Sequence, residues 1–107
     1  MPPELTTVVP VRGEVTFSNV SDFDRRLEQA FDDGAHNLVI DLTDVTFIDS
    51  SGLSALLTAS ARARALGGAV ALVLAQGEPP SIFRFLGVDR LLSLYPSREA
   101  ALEGLGR

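Results

Sequence analysis

The run Leu38-Val39-Ile40-Asp41-Leu42-Thr43-Asp44-Val45-Thr46-Phe47-Ile48-Asp49-Ser50-Ser51-Gly52-Leu53 carries the chain from an apolar core segment into a polar helix start. Leu38-Val39-Ile40 is continuously apolar and bounded by polar residues, as expected for a strand buried on both faces. Asp41 to Phe47 reads as a loop, with Ile48-Asp49 adding a last extended step. A helix begins near Ser50 or Ser51 and runs through Leu53, Leu56, Leu57 and Ala61 until Gly67-Gly68 stops it.

The alternation continues in both directions. Leu5 to Val11 is rich in β-branched residues and predicts a strand, with Pro10, which lacks an amide hydrogen, suited to an edge or a strand end. Arg12-Gly13 reads as a turn or bulge, after which Glu14 to Phe17 resumes as a second strand. Ser18 or Asn19 can cap a helix whose apolar stripe is Val20, Phe23, Leu27, Ala30 and Phe31. Asp22 and Asp24 complement the positive end of its dipole, and Gly34 is placed to end it in a left-handed conformation. Further on, Ala69 to Leu74 predicts an apolar strand and Gln76-Gly77-Glu78-Pro79-Pro80 a turn. Ile82, Phe83 and Leu86 predict a short helix ended by Gly87, and Leu91 to Tyr95 a brief strand. Ser97 can cap a last helix through Ala100, Ala101 and Leu105. The class is therefore α/β, a mixed central sheet of about four to five strands with helices packed mainly on one face. Residues 1–107 make one domain.

At 107 residues and 46% hydrophobic content, one core forms without disulfides or metals. There is no cysteine, which excludes thiol nucleophiles and cysteine-ligated zinc and fits a reducing compartment. The net charge of −5 leaves no basic stripe for nucleic acid and disfavours anionic lipid. No segment approaches the roughly 20 apolar residues that span a bilayer. Met1-Pro2-Pro3-Glu4 has neither the basic start nor the apolar run of a signal peptide. The expectation is a cytoplasmic protein, monomeric when free, with no cofactor and no metal.

Chemistry concentrates at Asp49-Ser50-Ser51-Gly52, where a hydroxyl meets a helix N-terminus. Free backbone amides and the helix dipole there favour an added negative charge. A phosphate on Ser50 would be tolerated by its own helix, and Gly52 would leave the approach to the hydroxyl open. Taken alone, the four residues equally describe an ordinary capped helix start.

The frame Leu38–Leu42 with Val45–Leu53 resembles the central signature of the STAS family, in particular the bacterial anti-sigma-factor antagonists. Three further fragments in the same order strengthen the resemblance. Gly13-Glu14-Val15 is similar to that family's Gly-Glu-Leu element. Phe83-Arg84-Phe85-Leu86-Gly87-Val88-Asp89-Arg90-Leu91 is similar to its late helix and following strand, and Ser97-Arg98-Glu99-Ala100-Ala101-Leu102 to its terminal helix. The resemblance implies a STAS-like fold and a phosphoacceptor at Ser50. It also implies a partner-switching circuit. The unmodified antagonist binds an anti-sigma factor with serine-kinase activity and frees a sigma factor, phosphorylation ends the binding, and a cognate phosphatase restores it. The partner surface is then expected to include Thr16, Ser18, Asp49, Ser50, Ser51, Gly52 and Leu53. Thr16 departs from the family's usual aspartate, and Ser54 from a common second glycine.

Other residues point to less. The lone histidine, His36, reads as a loop residue rather than a catalytic base. Asp41 and Asp44 read as turn-capping aspartates. Arg62 and Arg64 read as solvated positions, and of Phe83 and Phe85 one faces outward. No lysine is present, and Ser50 has no partnered base, so an enzyme is not expected. The alternative to a switched antagonist is a non-switching STAS scaffold, or an accessory subunit of a signalling complex or membrane transporter.

Overall fold

The computed structural model describes residues 5–74 and 92–105. Its centre is β2 (Asn37–Ile48), whose Leu38, Val39 and Ile40 are completely buried. The expected loop after Ile40 is strand instead, because β1 (Thr6–Val15) stays paired to it along its whole length. The pairing is parallel, Thr6 opposite Asn37 and Val15 opposite Ile48, with register shifts after Pro10 and after Gly13. Gly13 takes φ +76°, which only glycine adopts without strain. The two strands expected on either side of Arg12-Gly13 are thus one bent strand, and Phe17 lies beyond its end.

β3 (Val70–Val73) and β4 (Ser93–Tyr95) complete the order β1-β2-β3-β4. The sheet was expected to be mixed. Among the described residues all three pairings are parallel, because Glu14 and Val15 continue along β2 rather than folding back as a hairpin partner. Pro10 does fall in an outermost strand of this order.

Strand alternation divides the core. Val9, Val11, Leu38, Ile40, Leu42, Val70 and Leu72 face α1 (Val20–Asp32) and α2 (Ser50–Ala65). Val8, Val39, Ala71 and Val73 face the other way, onto Ala101, Leu105 and Tyr95 with α3 (Arg98–Leu105). Of the described helices, two therefore cover one face and the third covers the opposite one. Each fully buried Leu or Ile here contributes about 1.5–3 kcal/mol of transfer free energy.

The α1 stripe buries Phe23, Leu27, Ala30 and Phe31 as its spacing predicts, and Gly34 ends the helix at φ +109°. On α2 the buried positions are Gly52, Leu53, Ala55, Leu56, Ala59, Ser60 and Ala63, while Ala61 is exposed. Gly67 at φ +83° ends this helix. Gly68 passes so close to β2 that a Cβ would stand 1.9 Å from the His36 carbonyl oxygen. Asn37, 2% exposed, stitches the strand starts together: its amide donates to Thr6 Oγ1 (3.2 Å) and its oxygen accepts from the Ala69 amide (2.9 Å). Ser97 caps α3 by accepting from the Ala100 amide at 3.1 Å.

Arg62, expected to be solvated, instead joins the two helices. Its guanidinium donates to Glu28 and to Asp32 (3.2 Å) and lies 4.9 Å from the Phe31 ring centroid. These groups are partly exposed, so each ion pair contributes about 1 kcal/mol or less. The expected turn at 76–80, the short helix at Ile82–Leu86 and the Phe83–Leu91 fragment lie outside the described residues.

Candidate phosphoacceptor site

The site forms where β1 and β2 end together. Val15 pairs with Ile48, and Asp49 follows in extended conformation (φ −99°, ψ −173°) as the N-cap of α2. Its Oδ1 accepts from the amides of Ser51 (2.8 Å) and Gly52 (3.2 Å). Its Oδ2 accepts from the amide of Phe17 at 3.0 Å, across 32 residues of sequence. The helix was expected to begin near Ser50 or Ser51, with its capping residue left open. Asp49 takes the role because the extended step leaves its carboxylate over the first-turn amides.

This changes the electrostatic reading of the loop. The amides of Ser51 and Gly52 that could have received an added anion already hold the Asp49 carboxylate. Desolvation raises the Asp49 pKa but is outweighed by hydrogen bonds from the amides of Phe17, Gly52 and Ser51 and from the Ser51 hydroxyl. The carboxyl therefore titrates below the usual carboxylate range.

The two serines differ. Ser50 is exposed, and its hydroxyl makes no hydrogen bond among the described residues. Ser51 is half-buried, and its backbone amide donates to Asp49. Gly52 and Leu53 are buried, Leu53 to 2%, so they shape the loop from beneath. Gly52 does not serve to clear the approach to Ser50, since a Cβ on it would point inward, 2.6 Å from Ile48 Cγ1 and 2.8 Å from Val15 Cγ1.

Thr16 and Ser18 are brought beside this loop by the Phe17–Asp49 bond. Thr16 organises a tight turn: its carbonyl accepts from the amides of Asn19 (3.0 Å) and Val20 (2.8 Å). Its own amide donates to Asn19 Oδ1 at 2.9 Å, and its hydroxyl lies 3.1 Å from Ser18 Oγ. Asn19 is the N-cap of α1 but makes no side-chain cap bond, because its side chain closes this turn and donates to the Glu14 carbonyl at 2.8 Å. Ser54 lines an open groove between α1 and α2 with Ser51, Thr58, Asp24 and Glu28. The turn tip is Phe17, 79% exposed, which sequence reasoning missed. The Ser18-Asn19 pair was the only local sign that the strand ends before it.

A STAS domain profile matches residues 3–101. The chain belongs to the STAS domain family. No curated protein matches it significantly. Its fold is that of a Thermotoga maritima protein assigned as an anti-sigma factor antagonist, at TM-score 0.85 and 20% identity over 100% of this chain and 92% of that one. It is also that of the unphosphorylated anti-sigma factor antagonist SpoIIAA, at 0.71 and 19% over 92% and 86%. A sulfate transporter family protein from Wolinella succinogenes matches at 0.71 and 17% over 99% and 88%.

The remaining candidates of this STAS domain lie elsewhere. His36 is half-buried, its amide donating to the Leu5 carbonyl at 2.8 Å, at the opposite end of β2 from Ser50. Asp41 accepts from the Thr43 amide (2.9 Å) and hydroxyl (2.5 Å) and from Arg98 Nε (2.6 Å), which ties α3 to β2. Desolvation raises its pKa, but the Thr43 and Arg98 bonds outweigh it and hold the carboxyl low. Among the described residues no three His, Cys, Asp or Glu side chains converge on a metal position, and no helix is long and apolar enough to cross a membrane.

The low Asp49 pKa fixes a sign. A carboxylate depressed in the folded state stabilises it above the unfolded value, about 3.9, and loses that contribution as pH falls through the folded value. Asparagine has one acceptor oxygen where Asp49 uses two, so Asp49→Asn must release Phe17 or the helix amides. The variant is expected to melt below wild type at pH 7, with the gap narrowing below pH 4, as measured by thermal unfolding across pH. An equal gap at pH 7 and pH 3 would contradict this assignment.

Proposed function

We propose that this STAS domain is an anti-sigma factor antagonist switched by phosphorylation of Ser50. With Ser50 unmodified it sequesters an anti-sigma factor that is also a serine kinase, and a sigma factor is released. Phosphorylation by that kinase ends the complex, and a phosphatase resets it. The protein acts as a cytoplasmic monomer when free and performs no catalysis itself.

The observation that carries this reading is the contrast between the two serines. Ser50 presents an exposed hydroxyl at the first residue of α2 that bonds to no described residue, while Ser51 is half-buried with its amide held by Asp49. A phosphate adds roughly −1.5 to −2 charges at neutral pH, next to a carboxylate already seated on the helix amides. Repulsion and desolvation then act against any partner surface closed over the loop. Against the enzyme alternative, His36, the one histidine of the sequence, lies at the far end of β2 from Ser50.

The test is incubation of the purified protein with ATP and each purified anti-sigma factor kinase of its source organism, followed by phosphopeptide mapping. One kinase is expected to place a single phosphate on Ser50, and the product is expected to leave the complex on gel filtration. Phosphate on Ser51 with Ser50 unmodified would overturn the assignment. Tight binding to a transporter or signalling assembly, with Ser50 never phosphorylated, would favour the non-switching scaffold reading. The fold likeness to the sulfate transporter family protein is what keeps that reading in view.

A further inference from the structure

Among the described residues Phe17 is the most exposed large hydrophobic side chain at 79%, against 52% for Phe47, yet its backbone is held by several hydrogen bonds. Its amide is held by Asp49, and the flanking residues are closed by four further bonds. These run from the Asn19 and Val20 amides to the Thr16 carbonyl, from the Thr16 amide to Asn19 Oδ1, and from Asn19 Nδ2 to the Glu14 carbonyl. A loop with so many bonds that still leaves a phenyl ring in water is ordered before any partner arrives. Such pre-ordering removes part of the entropy cost of association, and aromatic side chains on rigid loops are the usual anchors of interfaces.

We infer that Phe17 is the apolar anchor of the partner interface, inserting into an apolar pocket on the same protein that reads Ser50. The inference rests on the proposed function and adds the chemistry of the partner surface. Continuity places it there: Asp49 bonds Phe17 directly and precedes Ser50, so one partner surface covers both. The Ser50 phosphate would enter the same patch, at the edge of the anchor.

The experiment is calorimetric titration of the purified kinase identified by phosphopeptide mapping with wild type, Phe17→Ala, Phe17→Leu and Ser50→Asp. Phe17→Ala is expected to weaken binding at least about tenfold, with its unfolding midpoint unchanged because the ring is exposed. Phe17→Leu is expected to recover part of the loss. Phe17→Ala binding like wild type while Ser50→Asp does not would overturn the anchor and leave the function standing. Ser50→Asp binding like wild type would remove the function reading beneath it. Self-association of wild type that disappears in Phe17→Ala, with kinase affinity unchanged, would assign the ring to a second copy of this chain and overturn the inference.

Discussion

A Ser50→Asp variant is expected to fold as wild type and to bind its anti-sigma factor about 100-fold more weakly, a difference of about 2.7 kcal/mol. Folding is spared because Asp49, not Ser50, caps α2, and the Ser50 side chain is exposed and bonds to no described residue. A carboxylate at the first residue of a helix gains from the dipole, while Asp49 beside it takes some of that gain away. The net change in stability should stay within about 0.5 kcal/mol, as for other surface substitutions. Binding is not spared, because the added charge would be buried next to Asp49 against a surface shaped for a neutral hydroxyl. Ser50→Ala is expected to keep both fold and affinity and to resist the kinase, leaving the complex permanent. Affinities by calorimetry and melting by circular dichroism read the two effects separately. A Ser50→Asp protein that binds like wild type would remove the switch.

Gly52→Ala should do the reverse, damaging the fold directly and the binding only through it. A methyl group at this position would stand 2.6 and 2.9 Å from two Ile48 carbons and 2.8 Å from Val15 Cγ1, all within the core under the first turn of α2. Either those side chains leave their rotamers or the helix start lifts from the sheet, and overpacking of this kind costs about 1–3 kcal/mol. In a domain of this size each kcal/mol lowers the melting temperature by about 4–8 °C. Ile48→Val, which removes the atom at 2.9 Å, should return part of the loss when combined with Gly52→Ala, giving a less than additive pair. A Gly52→Ala protein melting within a degree of wild type would show that the loop yields more easily than its packing implies.

The α/β class, both glycine stops at Gly34 and Gly67, the α1 stripe and the Ser97 cap were legible in the sequence. Each is a signal confined to a few neighbouring residues: a spacing of three or four, a position needing positive φ, a hydroxyl three residues before the amide it receives. The Asp49-Ser50-Ser51-Gly52 helix start was legible for the same reason, and the resemblance singled out Ser50 within it. The extension of β2 through Asp41–Ile48 was not, because polar residues pair as strand only when a second strand is present to receive them, and β1 supplies it. The sequence likewise left open which residue caps α2. The decision came from the Phe17 amide, 32 residues away, which holds the second oxygen of Asp49 and turns the first toward the helix. Phe17 read as the end of a strand, since alternation along Glu14–Phe17 offered no reason to stop at Val15. Only the closure of the Thr16–Asn19 turn in three dimensions puts its ring in water. Arg62 and Gly52 follow the same rule, one an inter-helix link and the other a notch for Ile48. A contact between distant segments depends on how the elements pack, and local chemistry carries no record of it.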